Sequence, residues 1–242
     1  MKRVLTSLAD LLFPPHCHGC NEPLTERDQD FCAACQGLLT ACMDPYCQRC
    51  GSPAGEADRR PDGCTECRHR LFPWERVIRH GIYEGGLRNL ILRLKNRRED
   101  SLARAVGREW GRQSQSLWEA LGPVRFFPMP RFWFKNLLRG HNPPEGLVRG
   151  LTSQVSGLVD CRSLYRKRPT LKQSDLPRSR RRANVRGSFA WRGPSQAATD
   201  RFVAVLVDDI MTTGATAIYA AKTLKEAGFK RIVVAVLARV KS

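Results

Sequence analysis

Nowhere in the 242 residues is there a run of about eighteen apolar residues, the length a helix needs to span a bilayer. Export is not signalled either. Lys2 and Arg3 precede an apolar stretch, but Asp10 interrupts it, Pro14 and Pro15 end it, and no small-residue cleavage site follows. Val4, Leu5, Leu8, Leu11 and Leu12 instead form one stripe of a short helix, expected over 3–13 and packed on a neighbouring domain. The chain also lacks G-x-x-x-x-G-K-[ST] and G-x-G-x-x-G, which removes the P-loop and the dinucleotide fold. A soluble, cytoplasmic protein without a membrane span is expected.

Negative charge is scarce: 23 Asp/Glu face 41 Lys/Arg, a net +18. The imbalance is local. Residues 1–70 hold eight of the Lys/Arg and ten of the Asp/Glu, so the remainder carries about +20. That basic remainder can attract phosphates of any kind, whereas the first 70 residues make a poor nonspecific DNA clamp.

Large apolar residues are few between Cys17 and Cys67, where turn formers dominate. What that segment has is cysteine. Eight of the ten cysteines fall into C-x-x-C pairs: Cys17/Cys20, Cys32/Cys35, Cys47/Cys50 and Cys64/Cys67. A thiolate pair two residues apart can share one tetrahedral ion, so four pairs supply two zinc sites of four cysteines, and zinc replaces the missing core. Sequential pairing, the first two pairs with each other and the last two likewise, closes the short loops at low entropic cost. A cross-braced arrangement is the alternative, and disulfides would require an exported protein. His16 and His18 are not needed, because each set is complete with cysteine. Cys42 and Cys161 are spare thiols. The cysteines stop before Leu71–Trp74, where Pro73 breaks the chain, so a zinc-ribbon unit over 1–70 and a second unit over 74–242 are expected.

The most informative stretch of the second unit runs from Phe202 to Thr216. Val203, Ala204, Val205, Leu206 and Val207 show no polar face, as in a parallel strand covered on both sides. Asp208 and Asp209 end it. Thr212, Thr213, Gly214, Ala215 and Thr216 then open a segment with Ile218, Ala221, Leu224 and Ala227 at helical spacing, stopped by Gly228, and a second apolar strand runs from Ile232 to Leu237. In such a βαβ unit the ligand lies at the carboxyl end of the first strand. Amides at the helix start, with Gly214 and the threonine hydroxyls, suit a monophosphate. The paired acids suit two neighbouring sugar hydroxyls, or the water shell of Mg2+.

These residues resemble the ribose-phosphate signature of type I phosphoribosyltransferases, which bind 5-phosphoribosyl 1-diphosphate (PRPP). The likeness extends further. Phe127, Pro128, Met129 and Pro130, followed by Arg131 and then Arg139, Gly140, His141 and Asn142, resemble the family's diphosphate loop. Pro143 and Pro144 stand where a further loop residue is usual, and remove two N–H donors. Arg168, Thr170, Gln173, Leu176, Arg181, Asn184, Gly187 and Phe189 resemble the R-x-T-x-x-Q…R-x-x-N…G-x-F stretch of ComF-type competence proteins, including the GntX-like branch.

The resemblance implies an α/β fold of mostly parallel sheet flanked by helices, with a small N-terminal double zinc ribbon. Asp208 and Asp209 would meet the ribose hydroxyls and 212–216 the 5-phosphate, with Zn2+ and Mg2+ as cofactors. Arg131, Arg139 and Gly140 would meet the diphosphate. A basic hood over 160–192, including Arg168, Thr170, Gln173 and Arg181, would close over PRPP. The implied reaction is displacement of diphosphate by an unidentified base-type acceptor, linked to DNA uptake. The alternative is a PRPP-sensing or single-stranded-DNA-binding adaptor for a helicase-like partner.

The rest reads as scaffold. His80 to Tyr83 suggests a short strand, and Leu87, Leu90, Ile91 and Leu94 the buried stripe of a helix. Leu102 to Leu121 suggests a second helix, and 137–158 contains a third. The stretch from Arg162 to Arg192 reads as an arm with strand-like ends.

Overall fold

The computed structural model describes residues 14–26, 28–40, 44–58, 60–95, 99–132, 142–171, 176–193 and 201–241. The expected helix over 3–13, Cys42, Arg139, Gly140, His141 and Gln173 lie outside them.

Strands β1 (Arg76–Ile82), β2 (Val124–Pro128), β3 (Leu158–Val159), β6 (Val203–Met211) and β7 (Ile232–Arg239) form one sheet in the order β1-β7-β6-β2-β3. Every pairing in it is parallel. A two-stranded antiparallel hairpin, β4 (Leu164–Arg166) with β5 (Phe189–Trp191), stands apart. This is the α/β class with helices flanking a parallel sheet.

The uninterrupted apolar strands are explained by burial on both faces. Val203, Val205 and Val207 enter one core with Val233, Ala235 and Leu237, while Ala204, Leu206, Val234 and Val236 enter the other. Helices α2 (Gly85–Leu94), α3 (Asp100–Gln113) and α5 (Pro143–Leu151) cover the first face. Helix α7 (Ala215–Glu226) and the hairpin cover the second. Helices α3 and α5 pack with little between them, since a Cβ on Gly107 would strike the Leu147 carbonyl and one on Gly150 the Arg104 carbonyl.

Three elements differ from the sequence expectation, each for a tertiary or local reason. The strand expected at His80–Tyr83 begins at Arg76, and its polar residues are buried because carbonyls elsewhere receive them. Arg79 donates to Gly51 O and Asp44 O, and His80 Nε2 bonds Leu39 O. The helix expected over 102–121 breaks at Ser114 into α3 and α4 (Gln115–Glu119). There the Ser114 hydroxyl donates to Trp110 O and accepts from Trp118 Nε1, a side-chain competition that disfavours a continuous helix. The basic arm contains a helix, α6 (Arg178–Val185), whose Val185 is fully buried.

Both cysteine segments lie against the sheet domain. The first, which includes α1 (Ala33–Leu38), packs on α2 and α3: Arg93 donates to Gly19 O and His18 O, and Arg108 pairs with Asp30. The second sits on β1 and β7, with Val77 N bonded to Gln48 O at 2.6 Å and Arg239 Nε to Cys50 O at 3.0 Å.

Candidate functional site

The two cysteine clusters are built by sequential pairing. Cys17, Cys20, Cys32 and Cys35 form one group and Cys47, Cys50, Cys64 and Cys67 the other, with the ligand atoms of each group within 4.8 Å of one another. Measured S···S separations are 3.7 Å for Cys20–Cys32, 3.6 Å for Cys47–Cys67 and Cys50–Cys64, and 3.8 Å for Cys64–Cys67. A tetrahedron of sulfurs about 2.3 Å from a central ion has edges of about 3.8 Å, so both sets fit Zn2+. In the first knuckle of each site the leading cysteine is followed four positions later by a left-handed residue: Asn21 at φ 67° and Gly51 at φ 76°. That turn brings the Asn21 and Gly51 amides onto the Cys17 and Cys47 carbonyls at 2.8 and 2.7 Å.

The second site lies at the carboxyl end of β6. A cleft of about 890 Å³ opens there. Asp208, Asp209, Thr212, Gly214, Ala215 and Thr216 line one wall, and Arg131, Arg166 and Thr170 are among the residues that complete it. Gly214 takes φ 74° to turn the strand into α7, and a Cβ there would stand 3.1 Å from Met211 Cε. The first amides of α7 have no intrahelical acceptor by helix geometry, and no acidic residue occupies the first turn to compete for them.

The two acids differ. Asp209 is nearly buried, bonds the Ile210 amide at 2.9 Å and lies 3.5 Å from Lys95 Nζ. Asp208 accepts its neighbour's amide at 2.9 Å. Burial, with the adjoining Asp209 carboxylate, pushes the Asp208 carboxyl well above the usual range. A cation or sugar hydroxyl at this position would relieve that crowding.

Across the cleft Arg166 is bonded to Thr170 and lies over the Phe189 ring at 4.8 Å. Burial lowers its pKa to about 10, partly offset by Asp208, so it remains charged at neutral pH. Sequence analysis did not assign Arg166 or Lys95 to this site. The available signal was position: Arg166 follows Leu164 and Tyr165 on a strand, and Lys95 follows the last buried residue of α2.

Of the other sequence candidates, Thr213 turns its carbonyl to Arg70 Nη2 at 2.7 Å rather than lining the cleft. Arg168 donates to Asn184 O and Arg186 O at 3.1 and 2.6 Å, and Arg181 to Leu176 O at 3.0 Å. Asn184 bonds both the amide and the carbonyl of Leu171, each at 3.1 Å. These residues stitch α6 to the 168–171 turn and so present Thr170 and Leu171 to the cleft.

Fold and sites together define an α/β protein with an N-terminal double zinc ribbon, and residues 8–68 match the family model of the double zinc ribbon domain. Nearly the whole chain is similar to DNA utilization protein YhgH of Salmonella typhi, at 27% identity over 95% of this chain and 99% of that one. The Escherichia coli protein of that name gives the same figures. Competence protein F of Haemophilus influenzae is 28% identical over 92% of this chain and 96% of its own. The chain is a relative of these proteins, as its motifs implied. Among the described residues no helix is long and apolar enough to cross a membrane.

Proposed function

We propose that the chain binds PRPP with Mg2+ in the cleft at the end of β6 and displaces diphosphate with a nitrogen of an as yet unidentified base, in a competence-related or DNA-utilization role. The observation that supports this most is the convergence of Asp208, the amide end of α7, Arg131, Arg166 and Thr170 on one cleft. In this reading the 212–216 amides hold the 5-phosphate and Asp208 and Asp209 orient the ribose hydroxyls. The acceptor nitrogen forms the new bond at the anomeric carbon while the C–O bond to diphosphate breaks, the electron pair leaving with diphosphate. Its proton passes to one of the two carboxylates. Arg131 and Arg166 face the developing negative charge, and the 168–171 turn shields an oxocarbenium-like centre from water.

Adjacent carboxylates, one of them raised by burial and by its neighbour, are the hard-oxygen donors that Mg2+ favours. Bound there, it would neutralise charge on the diphosphate. Zn2+ in the cysteine sites is structural.

Titration calorimetry with PRPP and Mg2+, followed by diphosphate release with candidate bases and single-stranded DNA, tests the proposal. Asp208→Asn with Asp209→Asn should lower release to below about one hundredth. Unchanged release would sink the assignment. A second reading, a PRPP-sensing or single-stranded-DNA adaptor for a helicase-like partner, draws on the net charge of about +20 beyond residue 70 and on the relatives' DNA-related names. PRPP binding without turnover with any acceptor would favour it.

A further inference from the structure

Resting on that reading of the 212–216 loop, we propose that Arg70 and Arg239 are positioning residues through which the second four-cysteine site, and not the first, governs how well the loop holds a sugar phosphate. Neither arginine lines the cleft. Both stand behind the loop and join it to the zinc knuckles.

Arg239, at the end of β7, is 2% exposed. Its Nε donates to the carbonyl of the ligand Cys50 at 3.0 Å, its Nη2 to Ser52 Oγ at 3.0 Å, and its Nη1 to Met211 O at 3.3 Å, just before the loop. Ser52 in turn donates to Glu66, which lies between the ligands Cys64 and Cys67, at 2.7 Å. One guanidinium therefore ties the loop's entry to both knuckles of the second site.

Arg70 follows Cys67 by three residues and makes the second tie, at the loop's centre, through Thr213 O. Its own carbonyl accepts from Arg49, which lies inside the Cys47/Cys50 knuckle, at 2.9 Å. Its guanidinium also covers Phe72 at 5.0 Å. Trp74 completes the backing. Its Nε1 bonds Arg49 O at 2.8 Å, and its ring would lie 3.5 Å from a Cβ at Gly214.

An anion site made of backbone amides depends on those amides pointing one way, and their orientation is set by the carbonyls of the same turn. Holding Met211 O and Thr213 O from behind therefore fixes the donors in front. Zinc keeps the knuckles rigid, so metal loss at this site slackens both anchors. Among the described residues the first site has no such link. The hydrogen bonds of its segment reach α2, α3 and His80, on the opposite core.

The test compares Arg70→Met, Arg239→Met, Arg70→Lys, Cys64→Ser and Cys32→Ser in the full chain. Amide hydrogen exchange of 212–216, zinc content and PRPP–Mg2+ affinity are measured for each. Arg70→Met should keep two zinc per chain and the wild-type thermal midpoint, yet speed loop exchange and weaken PRPP about tenfold, with Arg70→Lys recovering part of both. Arg239→Met and Cys64→Ser should act in the same direction, whereas Cys32→Ser should leave loop exchange and affinity within about twofold of wild type. The proposal is overturned if Arg70→Met leaves loop exchange unchanged, or if Cys32→Ser disturbs the loop as much as Cys64→Ser. Failure of the wild-type chain to bind PRPP would instead refute the ligand assignment, and the exchange comparison would still decide the coupling.

Discussion

The two zinc knuckle pairs share their local chemistry and differ in almost everything else. Each starts with the same turn, Asn21 in one and Gly51 in the other supplying the left-handed residue. In the first, Cys20 is exposed and Cys32 and Cys35 are half-buried; in the second, all four cysteines are buried. The first lies on the helical layer and contributes Cys17, Phe31 and Leu39 to the core that holds Trp110. The second is a small core of its own, set on the strand ends beside the cleft. Identical ligand sets thus serve as a staple for helices in one place and as a backing plate in the other. Only what surrounds them makes the difference.

Stripping the metal should have the largest effect, since binding of a structural Zn2+ is worth about 10–16 kcal/mol of folding free energy. With a zinc-responsive dye and a strong chelator, release should show two phases, the faster one from the set that exposes Cys20. Cys20→Ser should remove that fast phase and leave about one zinc per chain. A single phase would erase the distinction in accessibility.

Next comes Trp110, 1% exposed beneath the first ribbon and edge-on to His80. Trp110→Ala should cost about 3–5 kcal/mol in denaturant unfolding. It should also loosen exchange around Leu39 while sparing 212–216.

His80 gives a smaller effect that depends on pH. Burial holds its pKa below the ordinary 6.5, opposed by the bond to Leu39 O and the charge of Glu109. The folded chain keeps the imidazole neutral, whereas the unfolded chain takes up a proton below about pH 6.5. Stability should therefore be unaffected by this group above that pH and fall beneath it, by at most about 1.4 kcal/mol per unit. The wild-type minus His80→Asn difference in unfolding free energy between pH 5 and pH 8, with about equal zinc loading, measures it. A flat difference would mean that the imidazole is not held neutral at the ribbon contact.

The smallest expected effect is at Arg108, whose half-exposed guanidinium meets Asp30 of the first ribbon. Arg108→Gln should cost only about 1 kcal/mol, reduced further by salt. A much larger loss would mean that the first ribbon is held mainly by charge rather than by the apolar contacts of Phe31 and Leu39.

Much of the candidate site was legible because it is local. The strand, paired acids, T-T-G turn and helix are contiguous, so periodicity and turn chemistry place them without reference to the rest. The cysteines were equally readable, since C-x-x-C spacing carries its own geometry. Arg79 misled the reading of where β1 starts, because a polar residue inside an edge strand looks like its end until the carbonyls that receive it are known. Helix α6 was missed because Arg178 to Val185 offers one buried apolar residue and so no stripe to detect. Arg168 and Asn184 were conspicuous by pattern, yet their bonds to neighbouring backbone are visible only in three dimensions.

By itself the sequence determined the parallel α/β class, the acid- and threonine-bearing loop at the end of β6 and the two sets of four thiols, each of which depends on residues near one another in the chain. Only the tertiary structure decided that Arg166 and Lys95 border the cleft, and that Arg70 and Arg239 hold the loop from behind. Those contacts join residues more than a hundred positions apart in the case of Arg70 and Thr213, or Lys95 and Asp209. Hydrogen bonds and charge pairs of that kind leave no periodic trace, because their partners are brought together by packing alone.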